Sequence, residues 1–345
     1  MIKSHNFPNK AMREVPRQQQ LRQWVEARLN AAVPALEPAS QDASFRRYFR
    51  VRVDGGSFIA MDAPPEREDC RPFVRVAALM AAAGVHVPDI LAQDLERGFL
   101  LLSDLGTTSY LQALNEGSAD GLLRDALDAL LRWQLASRPD TLPPYDETLL
   151  RRELELFPEW YLHRHCGMTL DDTRRRTLDG LFASILASNL AQPRVYVHRD
   201  YMPRNLMVST PNPGVLDFQD AVYGPITYDA ASLFRDAFIS WDEARIAGWT
   251  AYYWERARRA GLPVARDFGE FCRDLDWMGV QRHLKVLGIF ARLHYRDNKT
   301  DYLEDTPRFI GYLRAAAARH QALRPLLALL DVVESAAPVK TERTS

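Results

Sequence analysis

The sequence predicts an α+β fold with two lobes, a small β-rich lobe at the amino end and a larger helical lobe. The chain has 345 residues, and this length favours two lobes or domains over a single small core. Period-two apolar patterns and tight turns are concentrated before Gly106. After Gly106 the apolar residues recur at helical spacing instead.

The composition excludes several classes of protein. Apolar residues make up 47% and charged residues 26% of the chain, an ordinary globular mixture. With 44 basic and 45 acidic side chains, a broad nucleic-acid-binding surface is not indicated. The three cysteines lie far apart, and the start of the chain lacks the apolar segment of a signal peptide. We therefore expect a soluble, cytoplasmic monomer that binds neither nucleic acid nor membrane.

Residues 17–105 are predicted to form the β-rich lobe. The polar, unpatterned residues 1–16 before it are expected to be a mobile arm. The lobe should contain a helix after Pro16, two strands joined at Asp54–Gly56, a helix over 71–83 and two further strands, at 89–93 and from Phe99 into a connector.

The helical lobe is predicted over 106–333, followed by a disordered tail at 334–345. Its expected helices cover 118–136, 147–166, 171–190 and much of 228–333. A compact strand-turn-strand is predicted between 195 and 218, and Gly224-Pro225 is interpreted as a turn.

The most informative segment begins at His198 and has the spacing H-R-D-x-x-x-x-N, which ends at Asn205. Asp217 follows twelve residues later. The intervening residues predict a hairpin with strands at 206–209 and 215–218. Because a hairpin folds its two ends together, Asn205 and Asp217 should reach one cation, with Asp200 nearby.

These residue types suit phosphoryl transfer. An amide oxygen and a carboxylate are hard ligands for Mg²⁺, which substrate phosphates also coordinate. A second carboxylate can orient an attacking hydroxyl and accept its proton. The plain alternative is that Asp200 and Asn205 cap turns and that Asp217 merely ends a strand.

These segments resemble the aminoglycoside phosphotransferase family, the small-molecule relatives of protein kinases. The resemblance covers nearly the whole chain and is carried by FLLLSDLG (99–106), VHRDYMPRNLMV (197–208), VLDFQDA (215–221) and GPITYDAASLFRD (224–236). It implies a protein-kinase-like two-lobed fold that uses ATP and Mg²⁺.

The resemblance also implies roles for individual residues. Asp200 would be the catalytic base, and Asn205 and Asp217 the Mg²⁺ ligands. The backbone of Ser103, Asp104 and Leu105 would meet the adenine. Longer runs, such as SFRRYFRV and LKVLGIFARLHYRD, resemble a bacterial subgroup that phosphorylates the anomeric hydroxyl of cell-wall amino sugars, so an amino sugar is the expected acceptor.

Two features depart from the family. Met61 occupies the strand position where a kinase usually has a phosphate-binding Lys, and a G-x-G-x-x-G loop is missing. A compensating site is expected in the segment 42–50. Its candidates are Ser44 for backbone and hydroxyl contacts, and Arg46, Arg47 or Arg50 for positive charge.

Strand alternation should place Arg46 and Arg50 on one face of the sheet and Arg47 on the other. A solvated strand face is the alternative for each arginine. Loss of the Lys is also compatible with a pseudokinase that binds nucleotide without turnover.

The acceptor site is predicted on the helical lobe. Asp220 is a candidate for a sugar hydroxyl, or it caps the turn before Gly224. Arg235 and Asp236 are candidates as well, with an exposed charged pair as the alternative.

A basic stripe follows one helical face, formed by Arg282, Lys285, Arg292 and Arg296. One or two of these cations, with Lys285, Arg292 and Arg296 as candidates, are predicted to bind an anionic acceptor. A polycationic aminoglycoside would need carboxylates instead. For the basic stripe, the alternative is a solvated helix face. For the acceptor, the alternatives are choline and amino alcohols.

Overall fold

Five antiparallel strands form the sheet of the amino-terminal lobe. The computed structural model describes residues 10–39 and 45–335. The strands are β1 (Glu37–Pro38), β2 (Arg47–Val53), β3 (Gly56–Asp62), β4 (Ile90–Asp94) and β5 (Phe99–Ser103). They lie in the sheet in the order β1-β2-β3-β5-β4. The predicted hairpin between β2 and β3 is confirmed, with Val53 opposite Gly56.

Each face of this sheet is covered by one helix. On one face, α1 (Lys10–Leu29) packs Leu21, Trp24 and Val25 against Phe49, Val51, Ala60 and Leu101. On the other face, Met61, Leu100 and Leu102 join α2 (Arg71–Ala82) in the main core, which continues into the helical lobe. Because successive strand residues point to opposite faces, neighbouring residues of β2 and β3 enter different cores.

Helix α1 begins earlier than the sequence predicted. Lys10 is already helical, so the predicted arm at 1–16 is wrong for residues 10–16. Residues 1–9 and 336–345, which include most of the predicted tail, lie outside the described residues. The polar stretch upstream of Pro16 has no apolar periodicity that would predict a helix. A helix can still extend through it, because adding a turn to the buried downstream turns needs only backbone hydrogen bonds.

The second lobe is mainly helical. Its helices are α3 (Tyr110–Ala113), α4 (Ala119–Leu135), α5 (Glu147–Leu154), α6 (Asp172–Ala191), α7 (Tyr228–Phe234), α8 (Glu243–Arg259), α9 (Phe268–Asp297), α10 (Thr306–Arg319) and α11 (Arg324–Ser335). Helix α9 is 30 residues long and contacts α5, α6, α7, α8 and α10. It is the central element of the lobe, and its middle turns are buried.

Several of these helices begin at an aspartate. Asp146, Asp171, Asp242 and Asp267 each accept a hydrogen bond from the backbone N–H three residues later. Such caps satisfy amides that have no partner within the helix and complement its dipole. None of the helices in the described part of the chain has the length and apolar character needed to cross a membrane.

Three local predictions need correction. The helix expected over 147–166 is split, because α5 ends at Leu154 and a π-helical segment, Phe157–His165, follows with Pro158 in its first turn. Gly224-Pro225 is the end of strand β9 (Val222–Pro225), which pairs with β6 (Arg194–Val197). Pro225 is tolerated there because β9 is an edge strand of a two-stranded sheet.

The predicted hairpin near residue 210 exists, but its strands are shorter than expected. They are β7 (Leu206–Met207) and β8 (Gly214–Val215), with Leu206 opposite Val215. The connection contains Pro211 and Pro213, which have no backbone N–H for a longer ladder.

Candidate active site

The loop from His198 to Asn205 is held at its start by Asp229, near the amino end of α7. The buried Asp229 carboxylate accepts hydrogen bonds from the backbone N–H groups of His198 (2.7 Å) and Arg199 (3.0 Å). Arg199 has a φ of 76°, a conformation that costs energy for a residue with a side chain. The two hydrogen bonds stabilise that conformation and hold the backbone that leads into Asp200.

His198 connects this loop to the hairpin. Its Nδ1 accepts a hydrogen bond from the backbone N–H of Asp200 (3.2 Å), and its Nε2 lies 3.0 Å from the backbone oxygen of Leu216. With Nδ1 accepting, the proton of the neutral ring is on Nε2, which donates to Leu216. Burial lowers the pKa of His198 to about 4, so the ring is neutral at physiological pH.

The amide of Asn205 lies between the two aspartates predicted from the sequence. Its Nδ2 donates to the backbone oxygen of Asp200 (2.9 Å) and to Oδ2 of Asp217 (3.3 Å). The backbone N–H of Leu216 donates to the backbone oxygen of Asn205 (2.9 Å), which closes the base of the hairpin. The structure therefore brings Asp200, Asn205 and Asp217 together, as the spacing predicted.

The donor set fits a magnesium ion. Because Nδ2 of Asn205 is used in these two hydrogen bonds, its Oδ1 is the atom it offers to a cation, beside the exposed carboxylate of Asp217. The described residues contain no group of three or more His, Cys, Asp or Glu side chains arranged to hold a metal. Two protein oxygen ligands, completed by phosphates and water, suit Mg²⁺ better than a cage made only of protein.

A cleft between the lobes opens onto these residues. Its volume is about 680 Å³, within the range of pockets that hold small ligands and cofactors. The amino-terminal lobe contributes Tyr48, Arg50, Ile59 and Leu102, and the connector contributes Ser103–Thr107. Asn205, Leu216 and Asp217 line it from the loop and hairpin, together with Arg204, Phe238 and Tyr302 from the helical lobe.

The residues predicted to bind the nucleotide are partly brought together. Arg50 and Asp104 form a two-point ion pair, with Nε–Oδ2 at 2.6 Å and Nη2–Oδ1 at 3.0 Å. Although burial opposes it, hydrogen bonds from Arg50 and Ser57 hold the pKa of Asp104 below its ordinary value. Ser103 Oγ accepts from the backbone N–H of Asp89 (2.8 Å). Leu105, like Ser103 and Asp104, lines the cleft.

The remaining nucleotide candidates differ in position. Arg47 lies on the face of the sheet that packs on α1, where its Nε is 3.2 Å from Oδ2 of the buried Asp62, so the prediction that it might reach phosphate is corrected. Arg46 precedes β2, and its charge acts on the thiol of Cys70 at the start of α2. Ser44 lies outside the described residues. Met61, in the place expected for Lys, is fully buried in the main core.

Lys285 is part of an internal ion cluster, so its predicted contact with the acceptor is corrected. Its Nζ lies 2.9 Å from Oε1 of Glu153 and 3.0 Å from the hydroxyl of Tyr228. The same Glu153 carboxylate pairs with Arg199 at 2.6 Å. Burial alone would raise the pKa of Glu153, but the charges of Lys285 and Arg199 lower it to about 2. Through Arg199, the cluster therefore stabilises the loop from His198 to Asn205.

The other predicted acceptor residues also lie outside the cleft. Arg235 and Asp236 are both buried, so the alternative of an exposed pair is wrong as well. Arg235 pairs with Glu243 (2.7 Å), and Asp236 accepts from the backbone N–H of Phe238 (2.8 Å). Asp220 is exposed next to the loop, where its backbone oxygen accepts from Arg199 at 3.4 Å.

The predicted basic stripe is divided by packing. Arg282 and Lys285 are buried, Arg292 is half-buried, and the exposed Arg296 pairs with Asp297 at 2.9 Å. Arg292 and Arg296 therefore do not line the cleft either. A helical period shows which residues share a face but not what that face meets.

Sequence reasoning missed two supporting acids and three residues of the cleft. Asp229 had a signal, since it is the only charged residue within the otherwise uncharged run Tyr228–Phe234, and a buried acid requires hydrogen-bond partners. Glu153 had none, because it lies in the charge-rich segment RRELEL. Arg204, Phe238 and Tyr302 become visible as neighbours only in the folded chain.

Comparisons with known proteins agree with this geometry. A family model described as "phosphotransferase enzyme family" matches residues 35–262. A Pseudomonas putida protein named N-acetylmuramate/N-acetylglucosamine kinase is 55% identical over 331 residues, which covers 93% of this chain and 98% of the relative. A Pseudomonas aeruginosa protein of the same name is 54% identical over 329 residues, with coverages of 92% and 97%.

Among solved structures, a choline kinase from Streptococcus pneumoniae matches with a TM-score of 0.62 at 12% sequence identity. The match covers 86% of this chain and 99% of that structure. At such low identity the likeness shows the fold alone. The predicted α+β, protein-kinase-like fold with two lobes is confirmed.

Proposed function

Because the chain belongs to the phosphotransferase enzyme family, as its motifs predicted, we propose that it is an ATP-dependent amino-sugar kinase. The acceptor is the anomeric (C1) hydroxyl of N-acetylmuramate and N-acetylglucosamine. The main observation that supports phosphoryl transfer is the position of Asn205 between Asp200 and Asp217. The names of relatives that are 54–55% identical support the choice of sugars.

Asp200 acts on the acceptor. Its carboxylate orients the sugar hydroxyl and takes its proton as the oxygen attacks the γ-phosphorus of ATP. The bond between that phosphorus and the β–γ bridging oxygen breaks, and ADP leaves. Attack is direct and in line, so the protein contributes positioning and charge stabilisation rather than a covalent intermediate.

Asn205 and Asp217 would hold Mg²⁺ at the edge of the cleft. When bound, the ion neutralises charge on the nucleotide phosphates. The chain prepares this edge through His198, whose neutral ring joins the loop to the hairpin, and through Asp229, which orients the loop backbone. The pair of oxygen ligands is therefore largely arranged before substrate binds.

Arg50 is the cation that we infer stands in for the missing Lys. It lines the cleft from β2, whereas Arg47 faces α1. Its ion pair with Asp104 joins β2 to the connector that would meet the adenine. Arg50 would thus bind the nucleotide phosphates and also hold β2 against the connector.

The acceptor assignment places the enzyme in the reuse of sugars released from the bacterial cell wall. A free anomeric hydroxyl appears when a glycosidic bond in such a polymer is cleaved, and its phosphorylation prevents the ring from re-opening. Since ATP is supplied in the cytoplasm, the proposed reaction takes place there.

A product-identification assay tests this proposal. The full chain is incubated with Mg-ATP and N-acetylmuramate, N-acetylglucosamine, kanamycin or choline, and ADP release is followed for each acceptor. We expect turnover with both sugars, and ³¹P and ¹³C NMR should place the new phosphate on C1. Phosphorylation at another hydroxyl, or turnover with kanamycin or choline alone, would overturn the proposal. Nucleotide binding without turnover on any acceptor would favour the pseudokinase that the buried Met61 leaves open.

A further inference from the structure

Arg204 lines the cleft between the lobes. It belongs to the 3-10 turn Pro203–Asn205 and directly precedes the proposed Mg²⁺ ligand Asn205. Its guanidinium carbon lies 5.4 Å from the centre of the Phe238 ring, and both side chains line the cleft. A guanidinium resting on an aromatic face is held by cation–π attraction while its edge can bind planar anions.

The two sides of the cleft differ in chemistry. The amino-terminal lobe and connector present mostly apolar side chains and backbone, including Tyr48, Ile59 and Leu102. Arg204, Phe238 and Tyr302 come from the helical lobe. Because the acceptor hydroxyl has to meet the γ-phosphate beside Asp200 and Asn205, the acceptor would contact this second side.

The cations predicted from the sequence to bind the acceptor do not line the cleft. Lys285 pairs with Glu153, Arg235 with Glu243, and Arg296 with Asp297. Among the described residues that line the cleft, the cationic side chains are Arg50 and Arg204. Arg50 lies on the nucleotide side with Asp104, so Arg204 is the cleft cation on the acceptor side.

We propose that Arg204 binds a carboxylate of the acceptor and that Phe238 positions its guanidinium. This inference rests on the proposed function. A guanidinium has five N–H groups, so Arg204 can bind an anion in addition to its contacts within the protein. N-acetylmuramate carries a lactyl carboxylate, and N-acetylglucosamine does not. Arg204 would therefore decide how strongly the acidic sugar is preferred over the neutral one.

The two sugars provide the experiment, because they share the reacting hydroxyl and the nucleotide but differ in the carboxylate. kcat and KM are measured for both sugars with wild-type protein, Arg204→Gln, Arg204→Lys and Phe238→Leu. Arg259→Gln serves as the matched control, since Arg259 pairs with Glu255 on the exposed surface of α8. We expect Arg204→Gln to lower kcat/KM for N-acetylmuramate about ten- to a hundredfold, mainly through KM. For N-acetylglucosamine the expected loss is less than about threefold, within the range of an uninvolved surface change.

The other variants refine the expected result. Arg204→Lys keeps the charge but not the planar fork, so its loss with N-acetylmuramate should be intermediate. Phe238→Leu should reduce the preference for the acidic sugar in the same direction. Calorimetry in the presence of ADP should show weaker N-acetylmuramate binding by Arg204→Gln with unchanged ADP affinity.

Equal losses with both sugars would overturn the inference, since Arg204 would then act on the nucleotide phosphates or on the loop itself. Unchanged values for both sugars would overturn it as well. If Arg204→Gln does not fold, the ratio between the two sugars in Arg204→Lys decides in the same way. A wild-type protein that phosphorylates neither sugar refutes the proposed function instead, so the two failures are distinguishable.

Discussion

The Nε2 of His198 donates a hydrogen bond to the backbone oxygen of Leu216, 3.0 Å away. Through Nδ1 the same ring accepts from the backbone N–H of Asp200. One buried imidazole thus joins the residue before Asp217 to the proposed base. Its neutral form is required for the bond at Nδ1, because a protonated Nδ1 cannot accept, whereas Nε2 donates in either form. The relative position of base and metal ligand is therefore linked to the protonation state of a residue that contacts neither substrate.

The first prediction concerns pH and stability. Burial lowers the pKa of His198 to about 4 in the folded protein, against about 6.5 in an unfolded chain. Its stabilising contribution is therefore complete above pH 6.5 and is lost as the pH falls towards 4, on the order of 3 kcal/mol. Denaturant unfolding of wild-type protein and His198→Gln should show free energies of unfolding that converge as the pH falls through this window.

The test uses the difference in unfolding free energy between wild-type protein and His198→Gln. The absolute values also contain a contribution from Asp229, which changes with pH in the opposite direction. Burial raises the pKa of Asp229 to about 7, so its protonation favours the folded state as the pH falls from 7. A difference that stays constant between pH 7 and 4 would show that His198 does not carry the predicted linkage.

The second prediction concerns the base. Asp200→Asn keeps the shape of the side chain but cannot take the hydroxyl proton, so kcat should fall about 10²- to 10⁴-fold. The midpoint of thermal unfolding should change little, because Asp200 is half-buried and its hydrogen bonds to His198 and Asn205 are made by its backbone. Wild-type turnover by this variant would remove Asp200 from the mechanism.

The third prediction concerns the metal ligand. Asp217→Asn should abolish the Mg²⁺-dependent part of ATP binding, since a carboxylate ligand is replaced by a weaker amide. Asp220→Asn is the matched control, an exposed acid three residues away. Titration calorimetry with ATP, with and without Mg²⁺, measures the effect. Equal losses in both variants would indicate a general charge effect rather than coordination.

The fourth prediction separates two arginines of one strand. Arg50→Met should raise KM for ATP about tenfold or more, because it removes a cleft cation and its bond to the connector. Arg47→Met should leave KM unchanged and lower thermal stability, since Arg47 pairs with the fully buried Asp62. The reverse pattern in steady-state kinetics and melting would reassign the phosphate-binding residue.

The fifth prediction compares two cations of α9. Lys285→Met leaves the buried Glu153 with one partner fewer and should cost about 3–5 kcal/mol of unfolding free energy. Arg296→Met removes an exposed pair with Asp297 and should cost less than about 1 kcal/mol. Chemical denaturation of both variants tests this, and a small effect at Lys285 would argue against a structural ion cluster.

The sequence predicted that the residues of the proposed catalytic centre lie close together, because their geometry is local. His198, Asp200, Asn205 and Asp217 lie within twenty residues, and a loop followed by a hairpin brings such a short segment together. Strand alternation is local too, so the opposite faces of Arg47 and Arg50 were predictable. Which of those faces meets the cleft was not, because α1 lies on one side only after folding.

The amino-acid sequence by itself determined the two-lobed class, the loop with its proposed base and the pair of proposed oxygen ligands. Only the tertiary structure decided where the cationic side chains lie and which groups they contact. Lys285 became an internal partner of Glu153, and Arg204 came to line the cleft against Phe238. The physical reason is that the surroundings of a charged side chain are formed by segments distant in sequence, which come together only when the chain folds. Periodicity specifies a face of a helix but not its neighbour.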